Sequence, residues 1–169
     1  MSIIFKKAKK TEIDTAFDLF RQAAETMIEN EIDHWQYWVN PPEEKINWVK
    51  DGFKKNEFYF VENDSKQLVG MFRLMEEDLL YWGKQAKRAK YIHSLVVSNE
   101  FKGNRIGNKI IEKVESLMLR DNISILRLDC NANNERLCKY YTDLGFEKVG
   151  EVEMPLQKCN LYEKELHYC

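Results

Sequence analysis

The residues best suited to chemistry lie where a strand, a glycine-bearing loop and a helix follow one another. Leu95-Val96-Val97 is apolar and β-branched, and Phe101-Lys102-Gly103-Asn104-Arg105-Ile106-Gly107-Asn108 leads from it into a helical pattern. A loop that turns a strand straight into a helix points several backbone N–H groups one way, with the positive end of the helix dipole behind them. Gly103 and Gly107 carry no Cβ, so a ligand can approach the backbone closely. Lys102, Arg105 and Lys109 add positive charge around the loop. These features suit the phosphates of a polyanionic ligand. Two glycines four apart at a helix start also serve as a plain turn, and the basic residues as a solvated helix end. A second stretch favours the ligand reading. Asn133-Asn134 opens a short helical segment that carries Tyr140 and Tyr141 and stops at Leu144-Gly145-Phe146.

The elements that must position these residues follow from periodicity. Ile3 to Phe5 can open a sheet. Thr11 is the expected N-cap of a first helix, with Asp14 three residues on and Ile13, Phe17, Phe20, Ala24, Met27 and Ile28 at helical spacing. Pro41-Pro42 with Glu43 and Glu44 marks the start of a second helix. Phe58 to Val61 and Leu68 to Leu74 read as a hairpin around Asn63-Asp64-Ser65-Lys66. Tyr91 to Val97 is a strand, and the helix after the loop runs to Arg120 with Ile106, Ile110, Val114, Leu117 and Met118 on one face. Then come a strand over Ile123 to Cys130, a helix over Asn134 to Leu144, and short strands over Phe146 to Val149 and Leu161 to Leu166. The order βααβββαβαββ predicts an α+β class with helices on the faces of a sheet. No repeat or linker interrupts residues 1–169, so a single domain is expected.

Bulk composition narrows the function. With 26 basic and 28 acidic residues the net charge is -2, which argues against nucleic-acid binding by phosphate neutralisation. No apolar run is long enough to cross a bilayer, so no membrane partner is expected. Met1 to Lys10 places its lysines after its apolar stretch, the reverse of a secretory signal, and points to a cytoplasmic protein. Cys130, Cys138, Cys159 and Cys169 form no CxxC pair and no ligand set with the three histidines, so reduced thiols and no metal are expected.

The segment Tyr91 to Gly150 resembles the core of the GNAT superfamily of N-acetyltransferases. Its members pair a basic-x-x-Gly-x-Gly/Ala pyrophosphate loop with an N…Y-x-x-x-G-F element. Here these correspond to Lys102 to Gly107 and to Asn134…Tyr141-Thr142-Asp143-Leu144-Gly145-Phe146. The chain departs from the pattern at two loop positions. Lys102 stands for the usual Gln or Arg, and Arg105 for the first motif glycine. The resemblance implies a mixed, mostly antiparallel sheet of about seven strands flanked by about four helices. It implies an acetyl-CoA-dependent N-acetyltransferase acting on a primary amine, with a small-molecule acceptor, direct attack in a ternary complex, and room for a homodimer.

It also implies residue roles. Leu95, Val96 and Val97 would offer backbone bonds to the pantetheine arm, and an amide near Val97 would polarise the thioester carbonyl. Lys102, Gly103, Asn104, Arg105, Ile106, Gly107 and Asn108 would hold the pyrophosphate, and Asn134 the pantetheine side. Tyr141 takes the place of a tyrosine that protonates the departing thiolate, although a tyrosine on that helix face also packs a core. A general base is needed because amines are protonated at neutral pH. His93, two residues before Leu95 and so expected on the same sheet face, ranks first, with an ordinary pKa of about 6.5. Glu76 and Glu77 are further candidates. Trp35 and Trp38 in Asp33-His34-Trp35-Gln36-Tyr37-Trp38, with Glu76 and Trp82, are the expected acceptor-binding residues; a hydrophobic plug under a loop fits Trp35 and Trp38 equally. A protein N-terminal or lysine acetyltransferase and a non-catalytic acetyl-CoA-binding module remain as alternatives. A dinucleotide oxidoreductase fits worse, because the glycine loop comes late in the chain and its spacing is GxxxG.

Overall fold

A computed structural model describes residues 1–32 and 35–168. The strands are β1 (Ile3–Lys7), β2 (Phe58–Asn63), β3 (Leu68–Met75), β4 (Lys90–Val97), β5 (Ile125–Asn131), β6 (Glu147–Glu153) and β7 (Lys158–Glu165). The helices are α1 (Ile13–Glu29), α2 (Glu43–Lys54), α3 (Leu79–Trp82), α4 (Ile106–Arg120) and α5 (Glu135–Asp143). The sheet is mixed and mostly antiparallel, in the order β1-β2-β3-β4-β5-β7-β6. Four helices were expected and α3 is the fifth, a single turn inside the charged connection before β4. β6 and β7 are longer than their hydrophobic runs, because β6 is mostly exposed and carries Glu147, Lys148, Glu151 and Glu153.

The contacts divide the chain into two compact units, residues 1–74 with 94–110, and residues 75–93 with 111–169. In the first unit, β1 pairs antiparallel with β2, and β2 with β3. α1 buries Ala16, Leu19, Phe20, Ala23 and Ala24, the i, i+3, i+4 stripe of an amphipathic helix. Thr11 is not its N-cap. It lies in a 3-10 turn whose Glu12 carboxylate accepts from Lys9 N at 2.7 Å, so the capping acid is Glu12, two positions before the expected Asp14. α2 starts after Pro42 with Glu43 and Glu44 in its first turn, as expected. Arg73 on β3 is only 1% exposed. Its guanidinium donates to Glu57 at 2.8 Å, the Trp48 carbonyl at 2.9 Å and Asp51 at 3.3 Å, and lies 4.2 Å from the Trp48 ring centre. A buried cation requires that full set of acceptors. Gly70 has a steric reason: a Cβ there would meet the Val96 carbonyl oxygen at 2.5 Å.

In the second unit, β5 pairs antiparallel with β7, and β7 with β6. β4 pairs with β5 in parallel over Lys90↔Leu126 and Tyr91↔Arg127. β5 is buried on both faces, and its Arg127 donates to Glu163 at 2.8 Å and to the Tyr91 hydroxyl at 2.7 Å. Among the described residues no helix is long and apolar enough to cross a membrane.

Candidate active site

In the first unit, β4 reaches the loop through Ser98, whose N–H donates to Val69 O at 2.9 Å and whose hydroxyl donates to Leu68 O at 3.0 Å. Gly103 has φ +83° and Arg105 φ +57°. Arg105 therefore occupies a left-handed position that favours glycine, at the place where the motif expects one. α4 begins at the next residue, so the N–H groups of Ile106, Gly107 and Asn108 lie in its first turn, where helix geometry provides no internal acceptor. The loop has the backbone cradle and the helix end that a pyrophosphate needs. Nothing lies within 4 Å of a Cβ built on Gly103, so that side of the loop is open. Partial burial pulls the exposed Lys102 ammonium below the ordinary lysine range, opposed by Glu29. Lys109 faces elsewhere, donating to the Met1 carbonyl at 2.8 Å.

Also in the first unit, Trp38 is 5% exposed and stacks on Phe20 at 3.9 Å, while Trp35 packs edge-on against the same ring at 5.7 Å. Trp38 nonetheless lines a cavity of about 210 Å³ together with Phe17, Arg21, Val39, Pro41 and Ile46. It is therefore both plug and wall. Asp33 and His34, in the same stretch, lie outside the described residues.

In the second unit, His93 stands between two acids. Its Nε2 is 2.6 Å from Asp78 Oδ2 and its Nδ1 is 3.4 Å from Asp129 Oδ1. Asp78 is the N-cap of α3, its other oxygen accepting from Tyr81 N at 3.2 Å, and the Tyr81 ring packs 5.0 Å from the imidazole. His93 and Asp129 lie two residues beyond the Tyr91↔Arg127 pair of the parallel ladder, which places them side by side. One ligand atom from each of the three residues falls within 4.8 Å of the others. The acids face opposite ring nitrogens. Ser94, between His93 and Leu95, has φ +56°, which breaks the pleat at that residue.

Glu76 is largely exposed and pairs with Lys90 at 2.7 Å, an ion pair that holds its carboxyl below the usual range. Trp82 packs edge-on against Tyr91 at 5.8 Å and lies 5.1 Å from the Arg127 guanidinium, a packing role. Asn134 Oδ1 accepts from Leu137 N at 3.0 Å and so caps α5. The far end of α5 explains the Gly-Phe pair. Gly145, at φ +92°, lets Phe146 N reach Tyr141 O at 3.1 Å and its own N reach Thr142 O at 3.0 Å, a Schellman closure. The Phe146 ring then packs edge-on against Tyr141 at 5.9 Å. Burial, followed by the neighbouring Cys130, pushes the Tyr141 phenol well above the ordinary tyrosine range, so it stays protonated. Cys130 and Cys138 are unbridged thiols 3.5 Å apart, and burial pushes the Cys130 thiol up, away from nucleophilic use.

Comparison with known proteins identifies the family. The sequence profile of the Acetyltransferase (GNAT) family matches residues 21–146, most of the chain. The chain belongs to the GNAT acetyltransferase family. Among curated proteins it is similar to the uncharacterized N-acetyltransferase YesJ of Bacillus subtilis (strain 168), 28% identical over 112 residues, covering 63% of this chain and 61% of that protein. Among solved structures, a GNAT-family acetyltransferase from Listeria monocytogenes 4b F2365 shares the fold at TM-score 0.78, with 24% identity over 97% of this chain and 95% of that one. A PaiA N-acetyltransferase from Thermoplasma acidophilum, solved in complex with coenzyme A, aligns at TM-score 0.63 with 20% identity over 98% and 99% of the two chains.

Asp78 and Asp129 are the members of the cluster around His93 that sequence patterns did not single out. Asp78 had a local signal, an acid opening Leu79-Leu80-Tyr81-Trp82 before Gly83, which is a cap and a stop around one turn. Asp129 had none, because its closeness to His93 depends on the register of two strands far apart in sequence.

Proposed function

We propose that this GNAT protein is an acetyl-CoA-dependent N-acetyltransferase acting on a primary amine of a small molecule, by direct attack in a ternary complex. The observation that carries the reading is the loop, in which two left-handed residues, Gly103 and Arg105, deliver the chain to the first turn of α4. The amides of Ile106, Gly107 and Asn108 would hold the pyrophosphate, with Lys102 and Arg105 balancing its charge. When bound, acetyl-CoA supplies an acyl carbon activated as a thioester. Backbone N–H groups of β4 near Val97 would bind the carbonyl oxygen as it gains charge. His93 would take the proton of the incoming ammonium, and the protonated Tyr141 phenol would donate to the sulfur as its bond to the acyl carbon breaks. The cavity beside Trp38 supports a small acceptor with an apolar portion.

The test is titration calorimetry with acetyl-CoA, followed by thiol release against a panel of polyamines, aryl amines and amino sugars. Binding with turnover on one of these supports the reading. Failure to bind acetyl-CoA refutes it, and turnover only on peptide amines would move the acceptor to proteins.

A further inference from the structure

Two cysteines of the second unit face each other across β5 and α5, in unequal surroundings. Cys130, on β5, is 4% exposed, whereas Cys138, in the first half of α5, is only half-buried. Their sulfurs lie 3.5 Å apart. Cys138 Sγ also receives Asn160 Nδ2 at 3.6 Å and hydrogen-bonds with the Tyr162 hydroxyl, and it can donate to the Asn131 carbonyl at 3.6 Å. Donors aimed at a sulfur steady the negative charge that it carries as a nucleophile. The third cysteine of this unit, Cys159, is buried and engaged instead by Gln157 Nε2 at 3.5 Å. Asn160, its neighbour on β7, turns its amide to Cys138, so the alternation of the strand places Cys159 on the other face of the sheet.

From this geometry we propose that Cys130 and Cys138 are a peroxide-reactive thiol pair that closes into a disulfide, with Cys138 reacting first and Cys130 resolving it. The Cys138 thiolate attacks one oxygen of hydrogen peroxide and the O–O bond breaks. The departing hydroxide takes up the proton that the thiol had shed, leaving a sulfenic acid and one water. The Cys130 sulfur then attacks the Cys138 sulfur, the S–O bond breaks, and the leaving hydroxide carries off the Cys130 proton as a second water. The two thiols together lose two electrons and two protons, and one peroxide becomes two waters. Burial keeps Cys130 from meeting an outside oxidant, but in the second step its target is already in contact with it. To reach a bond of about 2.05 Å the sulfurs close by about 1.5 Å from 3.5 Å, a rotation of the Cys138 side chain with a small shift of α5. The bridge places a reversible modification three residues, one helical turn, before Tyr141.

The experiment counts thiols and maps peptides, and it needs neither acetyl-CoA nor turnover. It uses the full chain with Cys169→Ser, which takes away the cysteine outside the described residues and leaves three thiols of the four. Excess hydrogen peroxide should leave one thiol, with the Cys130 and Cys138 peptides joined, and dithiothreitol should restore all three. Adding Cys138→Ser should keep both remaining thiols over the time in which the parent bridges. Adding Cys130→Ser, or Cys130→Ala if the serine folds poorly, should stop at a Cys138 sulfenic acid that dimedone captures. Adding Cys159→Ser should leave bridging as in the parent. Three thiols surviving peroxide, a bridge through Cys159, or Cys138 carried to sulfinic acid while Cys130 remains a thiol would each overturn the proposal.

Discussion

Tyr141→Phe separates two roles that the structure superimposes on one side chain. The ring is 8% exposed and sits among Tyr140 at 5.2 Å, Phe146 at 5.9 Å and Tyr162 at 6.3 Å, all contacts that phenylalanine keeps. The Schellman closure uses only backbone atoms of Tyr141. Removing the hydroxyl should therefore change unfolding free energy by less than about 1 kcal/mol. Catalysis should respond far more. A positioned proton donor is worth about 10² to 10⁴, and burial makes this phenol a reluctant acid, so the low end applies. A 100-fold loss in kcat corresponds to about 2.7 kcal/mol of transition-state stabilisation. The assay is thiol release at saturating amine and acetyl-CoA, beside urea unfolding of the same preparations. A variant within about threefold of the parent in kcat would mean that the hydroxyl is incidental and Tyr141 only packs the core.

Three further outcomes follow from the structure. Arg105→Gly removes a left-handed non-glycine residue at φ +57°, relieving about 1 kcal/mol of strain against a similar gain in unfolded-chain entropy. Urea midpoints should shift little, while the Kd for acetyl-CoA rises about two- to fivefold for the lost cation; a tenfold rise with unchanged stability would make Arg105 a principal anchor. Arg73→Ala should cost about 3–5 kcal/mol in urea unfolding, because it strands the Glu57 carboxylate and undermines Trp48; a loss below 1 kcal/mol refutes that accounting. Tyr162, pushed up to about 12 first by burial, has a folded pKa above its unfolded value, so the stability it contributes below about pH 10 is lost as pH rises towards 12. Urea midpoints between pH 9 and 11.5 should fall less steeply in Tyr162→Phe than in the parent, and equal slopes would contradict the assignment.

Sequence revealed most where function is built from short-range geometry. The loop from Lys102 to Asn108 and the closure at Leu144-Gly145-Phe146 are local backbone devices, so their residue types disclose them. The α1 helix was visible for the same reason, but its buried stripe is Ala16, Leu19, Phe20, Ala23 and Ala24, which shares only Phe20 and Ala24 with the expected face and leaves Ile28 exposed. The left-handed state of Ser94 was not visible, because serine gives no sign that the chain needs it. The ends of β6 and β7 were misjudged because pairing with a neighbour, rather than an apolar pattern, sustains them. The partnership of His93 with Asp129 depends on parallel register, which no local pattern encodes. Trp38 was ambiguous in sequence and remains double in the structure, buried on one side and lining a cavity on the other.

Asp78 ties two events together. The same carboxylate closes the first turn of a four-residue helix and holds the imidazole of His93. A helix this short has little cooperativity of its own and belongs to the easily opened end of the local stability range. Each opening of that turn also releases the histidine, so amide hydrogen exchange at Tyr81 and Trp82 counts the molecules whose ring has lost its alignment. A ligand that rests on the turn without touching His93 would then change the aligned fraction by its differential affinity for the closed form alone.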